Sequence, residues 1–223
     1  RIKLGVALRK MGCPEEARNY FQDIIIIDPK NVAAQNNIGI VETELDNLSG
    51  AKIAFQTALS VEPSYPDAHF NLGNVYWEER NYEVAAECFQ KTLELEENNQ
   101  IAYYHLALCM QKLKKYAEAL VIIDNLIANC GENIEQKAQF LGGRANIYLD
   151  LGRFNEAIRD IEKAVSFSPQ NSTLLGNKGL ILLHAGQIEN AITTYKLAVI
   201  ADPSDEEVKS HLAQALLLGG HFK

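Results

Sequence analysis

The sequence predicts an all-α fold, a solenoid of antiparallel helix hairpins that recur at a constant interval of about 34 residues. Three observations support this prediction: prolines separated by that interval, alanines in the same frame, and a small residue in the first half of each unit. Self-similarity at a fixed period is the signature of a repeat architecture. The composition, 47% hydrophobic and 22% charged over 223 residues, is that of a folded globular chain.

The prolines mark the ends of helices. Pro29 and Pro63 are separated by the same interval as Pro169 and Pro203. Proline disfavours a helical conformation in the residue before it, and an acidic residue or a serine stands there each time. Each pair therefore predicts the end of a helix at the same point of its unit.

The alanines mark where helices pack closely, because a small side chain lets a neighbouring helix approach. They are Ala17, Ala51, Ala85, Ala119, Ala157 and Ala191. A large aliphatic or aromatic residue follows each one by four positions, on the same helix face. The interval from Ala119 to Ala157 is longer than the others by four residues. Because four residues make about one helical turn, we expect the helix leading to Tyr148 to be longer by that turn.

The first half of each unit has its own pattern, a glycine or alanine after a larger residue, as in Leu4-Gly5 and Leu106-Ala107. Further glycines follow where a helix should stop and the chain should turn. These are Gly12, Gly152, Gly186 and Gly220. Each unit is therefore expected to hold two helices, which gives about thirteen helices and no strand.

This pattern resembles the tetratricopeptide repeat, a helix-turn-helix unit of about 34 residues. Residues 67–98 match it best, although His69 replaces the usual tryptophan and Glu97 the closing proline. The resemblance covers essentially the whole chain. It implies a right-handed superhelix in which the first helix of each unit lines a concave groove.

We expect a single array along the chain. Its repeats are predicted at about 1–31, 32–65, 66–99, 100–137, 138–171 and 172–205, with a partial repeat at 206–223. The chain begins inside a predicted helix at Arg1 and stops at Lys223, before the second helix of its unit. We therefore interpret it as a piece of a longer protein.

The charge and the hydropathy pattern exclude several classes of partner. The formal net charge is −8 and no concentrated basic stripe appears, so a nucleic acid is not expected to bind. No apolar run approaches the roughly 20 residues that cross a bilayer, so no membrane insertion is expected. The four cysteines share no short spacing, which favours reduced thiols in a cytoplasmic location, with no metal and no cofactor.

One position of the first helices is expected to line the groove with polar side chains. With the repeated alanine counted as position 20, position 6 holds Asn37, Asn71, His105, Gly143, Asn177 and His211. The asparagines resemble the ladder by which superhelices of this family hold an extended peptide, because one carboxamide offers both a donor and an acceptor. The alternative is that asparagine is merely common at this position in the family.

Three aromatic residues are expected on the same groove. Phe70 and Tyr104 occupy position 5 of consecutive repeats, and Trp77 lies two turns beyond Phe70 on one face, with Asn74 beside them. Exposed aromatic residues are favoured anchors at interfaces, and the alternative is that they fill the seam between repeats. Residues 32–99 carry 12 carboxylates and three basic side chains, which favours a ligand with apolar anchors and basic flanks.

The later repeats differ, because Gly142, Gly143 and Gly176 put no side chain at groove positions. A glycine inside a helix costs about 1 kcal/mol relative to alanine. These glycines predict either close approach of a ligand backbone or tight packing between successive helices.

No catalytic constellation appears in the sequence. His105 and Cys109 are four residues apart on one helix, but zinc requires further ligands and a nucleophilic thiol requires an orienting group. There is no phosphate-binding glycine loop and no nucleophile elbow. We therefore do not expect an enzyme.

Two functions remain open. The first is a non-catalytic scaffold that binds a peptide or protein segment in the concave groove. The second is the substrate-recruiting region of a larger glycosyltransferase, because ladder-bearing repeats resemble those that precede the catalytic domain of protein O-linked N-acetylglucosamine transferases. The residues that follow Lys223 in the parent protein would discriminate between the two.

Overall fold

A computed structural model describes residues 2–220, which form 13 α-helices and no strand. The helices are α1 (Ile2–Lys10), α2 (Pro14–Ile27), α3 (Val32–Glu44), α4 (Leu48–Val61), α5 (Pro66–Glu78), α6 (Tyr82–Leu95), α7 (Gln100–Lys112), α8 (Tyr116–Asn129), α9 (Ile134–Asp150), α10 (Phe154–Phe167), α11 (Ser172–His184), α12 (Ile188–Ala201) and α13 (Glu206–Leu218). The predicted all-α fold of antiparallel helix hairpins is confirmed. Below, odd-numbered helices are called A helices and even-numbered helices B helices.

The chain folds as two compact units, the first ending at Lys114 and the second beginning at Lys115. In each unit, every helix packs against the next one along the chain. The A helices also contact each other: α3 touches α1 and α5 in the first unit, and α11 touches α9 and α13 in the second. In each unit, three successive A helices are therefore in contact.

Several hairpins are closed by an aromatic ring that lies on a glycine. A Cβ atom placed on Gly5 would lie 2.6 Å from the ring of Phe21, and one on Gly73 would lie 2.8 Å from the ring of Phe89. Real side chains do not approach so closely, so a glycine is what allows the A helix and the B helix to pack this tightly. Phe21 and Phe89 are fully buried, and the same arrangement recurs along the chain.

Most A helices begin with an asparagine that caps the first turn. Its side-chain oxygen accepts a hydrogen bond from a backbone N–H three residues later, which satisfies a donor that the helix leaves free. The capping residues are Asn31, Asn99, Asn133 and Asn171. The inserted four residues lengthen α9 to 17 residues, compared with 13 in α7 and α11, which confirms the predicted extra turn.

The predicted turn glycines adopt the left-handed backbone conformation, with φ between 70° and 78°. Three other turns between successive helices have no glycine. Asp46, Arg80 and Lys114 take φ of 59°, 60° and 60° there. Non-glycine residues rarely adopt this conformation, so the turn itself imposes it on these three.

Within residues 2–220, no helix is both long enough and apolar enough to span a membrane.

Candidate functional site

The residues predicted for the groove lie mostly on the A helices of the first unit. We call these seven residues on α3, α5 and α7 the candidate face. They are Asn37, Phe70, Asn71, Asn74, Trp77, Tyr104 and His105, and all of them are partly exposed. Asn177 is also partly exposed, but it lies on α11 in the second unit.

Two asparagines of the candidate face donate hydrogen bonds within the protein. The Nδ2 of Asn71 donates to the side-chain oxygen of Asn36 over 3.1 Å, which links α5 to α3. The Nδ2 of Asn37 donates to the backbone carbonyl of Ala33 over 2.7 Å, within its own helix. Asn36 itself is buried, with 4% exposure. The sequence reasoning missed its role, because position 5 was expected to face a ligand.

Two other asparagines keep their amide groups free. Neither Asn74 nor Asn177 makes a hydrogen bond to another residue in the part of the chain that the structure describes. Because both are partly exposed, each offers a donor and an acceptor to an incoming molecule. Asn74 lies on the first unit and Asn177 on the second.

Phe70 belongs to an aromatic cluster between consecutive hairpins. Its ring centroid lies 5.5 Å from that of Phe89 and 5.3 Å from that of His105, the latter in an edge-on geometry. His105 also lies 5.2 Å from Phe89 and 6.2 Å from Tyr104. These contacts join α5, α6 and α7. They favour for Phe70 the alternative that it fills the seam between repeats, and His105 lies in the same seam.

Burial keeps the polar members of this cluster neutral near pH 7. Loss of hydration lowers the pKa of His105 and raises the pKa of Tyr104 to about 12. A desolvated imidazole resists protonation, and a desolvated phenol resists ionisation. The cluster therefore presents an uncharged, largely apolar floor.

Trp77 lies apart from that cluster, near the turn of its hairpin. Its ring packs edge-on against Tyr82, with the centroids 5.1 Å apart, and it makes no ring contact with Phe70 among the described residues. Its indole N–H has no acceptor in the described part of the chain. Trp77 is only partly covered, so it combines exposed apolar surface with an unused donor.

Ion pairs reduce the negative charge around the candidate face. Glu44 binds Arg9 over 2.5 Å, and Glu79 binds Lys52 over 2.7 Å. Glu78 is exposed and forms no ion pair within residues 2–220. The local charge is therefore smaller than the composition of residues 32–99 suggests.

Two of the predicted groove glycines, Gly142 and Gly176, lie where A helices of the second unit pack together. A Cβ atom on Gly142 would lie 2.6 Å from the side chain of Leu174, and one on Gly176 would lie 3.1 Å from Val208. In both cases an apolar side chain of the next A helix fills the space. These contacts support the packing alternative over close approach of a ligand.

The environment of Cys109 disfavours thiol chemistry. Cys109 is completely buried, and burial raises its pKa to about 12. A protonated thiol is a poor nucleophile and a poor metal ligand. Within residues 2–220, no group of three or more histidine, cysteine or acidic side chains is arranged to hold a metal ion.

Comparison with protein families gives two matches. Residues 143–206 match the family described as tetratricopeptide repeat. Residues 45–126 match the family described as anaphase-promoting complex, cyclosome, subunit 3. No curated protein sequence matches the chain.

Several solved structures are similar to the chain. A tetratricopeptide repeat protein from Parabacteroides merdae is 26% identical, with a TM-score of 0.81 over 96% of this chain and 82% of that one. The Cut9–Hcn1 hetero-tetramer of the anaphase-promoting complex gives 18% identity and a TM-score of 0.80, over 96% of this chain and 42% of that one. YrrB, described as a repeat protein of this type with an unusual peptide-binding site, gives 20% identity and a TM-score of 0.59, over 87% of this chain and 97% of that one.

Proposed function

We propose that this chain, which belongs to the tetratricopeptide repeat family, is a non-catalytic scaffold that holds a peptide or protein segment on the candidate face. The fold is that of a protein-interaction scaffold. That the chain binds a peptide on the A helices of the first unit is our proposal, and the side chains of α5 support it.

The observation that carries the proposal is the pair Asn74 and Trp77. They are three residues apart on α5, so they lie on one helix face. Both are partly exposed, and neither the amide of Asn74 nor the indole N–H of Trp77 is bonded to the described part of the chain. An extended peptide requires apolar surface for its side chains and paired donors and acceptors for its backbone. Trp77 offers apolar surface and a donor, and Asn74 offers a donor and an acceptor.

The side chains next to this pair are held in fixed positions. Asn71 is fixed by its bond to Asn36, and Phe70 is fixed between Phe89 and His105. Side chains that are already ordered lose little conformational freedom when a ligand binds. We therefore assign the binding contacts to Asn74 and Trp77 and a positioning role to the cluster.

Two of the similar structures favour the same class of function. YrrB is described as having a peptide-binding site, and Cut9 is described in a complex with Hcn1. A location in the cytoplasm also fits, because Cys13, Cys88, Cys109 and Cys130 are all free thiols and reducing compartments keep thiols in that state.

The test begins with an array of random-sequence peptides probed with the whole chain, followed by calorimetry on the peptides that bind. Trp77→Ala should weaken binding about tenfold or more, since burial of a large aromatic side chain contributes roughly 2 kcal/mol. Lys196→Ala, on an exposed position of α12, is the matched control and should leave the affinity unchanged. Equal affinity of the wild type and Trp77→Ala for every captured peptide would refute the proposal.

A further inference from the structure

The last turn of α5 places an unpaired carboxylate next to the proposed binding pair. Asn74, Trp77 and Glu78 stand at positions i, i+3 and i+4 of the helix, so their side chains share one face. Glu78 is exposed and forms no ion pair within residues 2–220. The face therefore combines a partly exposed indole ring, an amide that is free among the described residues and a carboxylate that no cation neutralises there.

The preceding hairpin shows how a carboxylate at this point is satisfied. Glu44 ends α3 as Glu78 ends α5, and Arg9 of α1 binds Glu44 over 2.5 Å across 35 positions of the sequence. The residue that precedes Glu78 by the same interval is Thr43. Its uncharged hydroxyl donates to the backbone carbonyl of Gly39 over 3.0 Å, within α3. Glu78 therefore lacks the cation that its counterpart has.

Nearby basic residues do not replace that cation. Lys52 binds Glu79 over 2.7 Å. Within residues 2–220, neither Arg80 in the following turn nor Lys112 at the end of α7 forms an ion pair with Glu78. The last turn of α5 contains no basic residue, although the helix dipole places partial negative charge there. A positive charge from outside the described chain would therefore be favourable at this helix end.

The ring beside Glu78 suits a guanidinium group. Tryptophan attracts a cation over its face more strongly than the other aromatic side chains do. Within the described residues, no lysine or arginine lies over the ring of Trp77, and one contact of that ring is the edge-on packing against Tyr82 at 5.1 Å. A planar guanidinium can stack on a ring and donate to a carboxylate at the same time, whereas the ammonium group of lysine is a compact point charge.

We infer that this face binds an arginine side chain of the peptide. The guanidinium stacks on Trp77 and donates to Glu78, and the amide of Asn74 bonds to the peptide backbone beside it. The ligand thereby does for Glu78 what Arg9 does for Glu44 in the preceding hairpin. The inference rests on the proposed function and adds to it the identity of one residue of the ligand.

The test uses the whole chain and two pools of labelled peptides of about seven residues, which span roughly 24 Å when extended. Every position is random and free of tryptophan except the central one, which is arginine in one pool and citrulline in the other. Citrulline has nearly the shape of arginine without its charge. Fluorescence anisotropy should give about fivefold tighter binding for the arginine pool, since a cation over an indole ring contributes on this scale. Equal affinity for the two pools would overturn the inference.

Substitution of Glu78 tests its part in this preference. Glu78→Gln should reduce the difference between the pools to less than about twofold and make binding of the arginine pool less dependent on salt, because one screened charge pair is lost. Glu97→Gln is the matched control: Glu97 is exposed in the loop that follows α6, at the other end of that helix from Tyr82. This control should keep the preference. A full preference in Glu78→Gln would overturn the inference.

A cation supplied by the protein itself should compete with the ligand. Thr43→Arg places a guanidinium where Arg9 stands relative to Glu44, so it should pair with Glu78 and remove the preference for the arginine pool. Circular dichroism should show unchanged helix content, since Thr43 is partly exposed. An unchanged preference in this variant would contradict the inference.

The emission of Trp77 separates this inference from the proposed function. Trp77 is the single tryptophan of the chain, so a change in its fluorescence on binding reports occupancy of this face. Equal binding of the two pools that falls in Trp77→Ala would overturn the arginine site and leave the proposed function standing. Binding that Trp77→Ala leaves unchanged, or no binding of either pool, would refute both.

Discussion

The side chains of Asn71 and Asn36 form a hydrogen bond 3.1 Å long between α5 and α3. Asn36 is almost fully buried, and Asn71 covers it from the next repeat. The bond joins two A helices directly, so these asparagines stabilise the stack of repeats in addition to any contact with a ligand.

Replacing Asn71 should therefore destabilise the first unit. Asn71→Ala leaves the side-chain oxygen of Asn36 buried without a donor, which costs about 1–3 kcal/mol. Urea unfolding followed by circular dichroism measures this difference. Asn37→Ala is the control: the bond of Asn37 lies within its own helix, so the loss should be smaller. If both variants unfold at the same urea concentration, the cross-repeat bond contributes nothing of its own.

Removing the hydroxyl group of Tyr195 should stabilise the folded protein. The residue is fully buried, its hydroxyl oxygen has no hydrogen-bond partner among residues 2–220, and burial raises its pKa to about 12. Phe21, Phe55 and Phe89 occupy the equivalent position of other hairpins without this group. Tyr195→Phe should raise the free energy of unfolding by about 1 kcal/mol, since an unsatisfied buried polar group costs that much or more.

Thermal and urea unfolding both test this expectation, with Phe89→Tyr as the reciprocal variant that should be destabilised. A marked loss of stability in Tyr195→Phe would show that the hydroxyl has a partner, such as a bound water molecule.

The stability of the protein should depend on His105 as the pH falls. Burial among Phe70, Phe89 and Tyr104 lowers the pKa of His105 in the folded state below its ordinary value of 6.5. Below pH 6.5 the unfolded chain then binds a proton that the folded chain does not, so stability declines until the folded pKa is passed. Above pH 6.5, His105 does not contribute to the pH dependence of stability.

His105→Phe keeps an aromatic ring in the seam and removes the titration. The wild type should lose more stability than this variant between pH 7.5 and pH 5, as measured by urea unfolding at each pH. All other titrating groups are common to both proteins, so parallel curves would contradict the assignment.

Among the charged residues of the second unit, Arg144 should be the one whose substitution lowers stability most. Its guanidinium forms two bonds to Asp160, of 2.6 and 2.9 Å, and one bond of 2.6 Å to Asp124. Hydrogen bonds to both carboxylates raise the pKa of Arg144. It thereby ties α9 to α10 and α8.

Lysine cannot reproduce a forked pair of bonds to one carboxylate. Arg144→Lys should therefore lower the free energy of unfolding by about 1–2 kcal/mol, the range for a hydrogen bond to a charged group. Asp124→Asn is the matched control, because Asp124 is more exposed than Asp160 and exposed pairs contribute little. A larger effect of Asp124→Asn than of Arg144→Lys would contradict this ranking.

The sequence by itself determined the hairpins, their number and the longer α9. It could do so because these features depend on contacts within one repeat, and such contacts recur wherever the residues recur. The spacing of Ala119 and Ala157 was sufficient for α9, since four added residues restore the same helix face. No glycine marks the turns at Asp46, Arg80 and Lys114 in the sequence. These residues adopt there the left-handed conformation that glycine favours.

Tertiary structure alone decided the partner of each side chain. The repeat period predicts that Asn71 and Phe70 lie on A helices. The offset between successive helices decides that Asn71 donates a hydrogen bond to Asn36 and that the ring of Phe70 packs against His105. The same offset filled the space over Gly142 with Leu174. A repeat period fixes which face of a helix a residue occupies, whereas the distance and angle between helices fix what that face meets, and those quantities follow only from the packing of complete side chains.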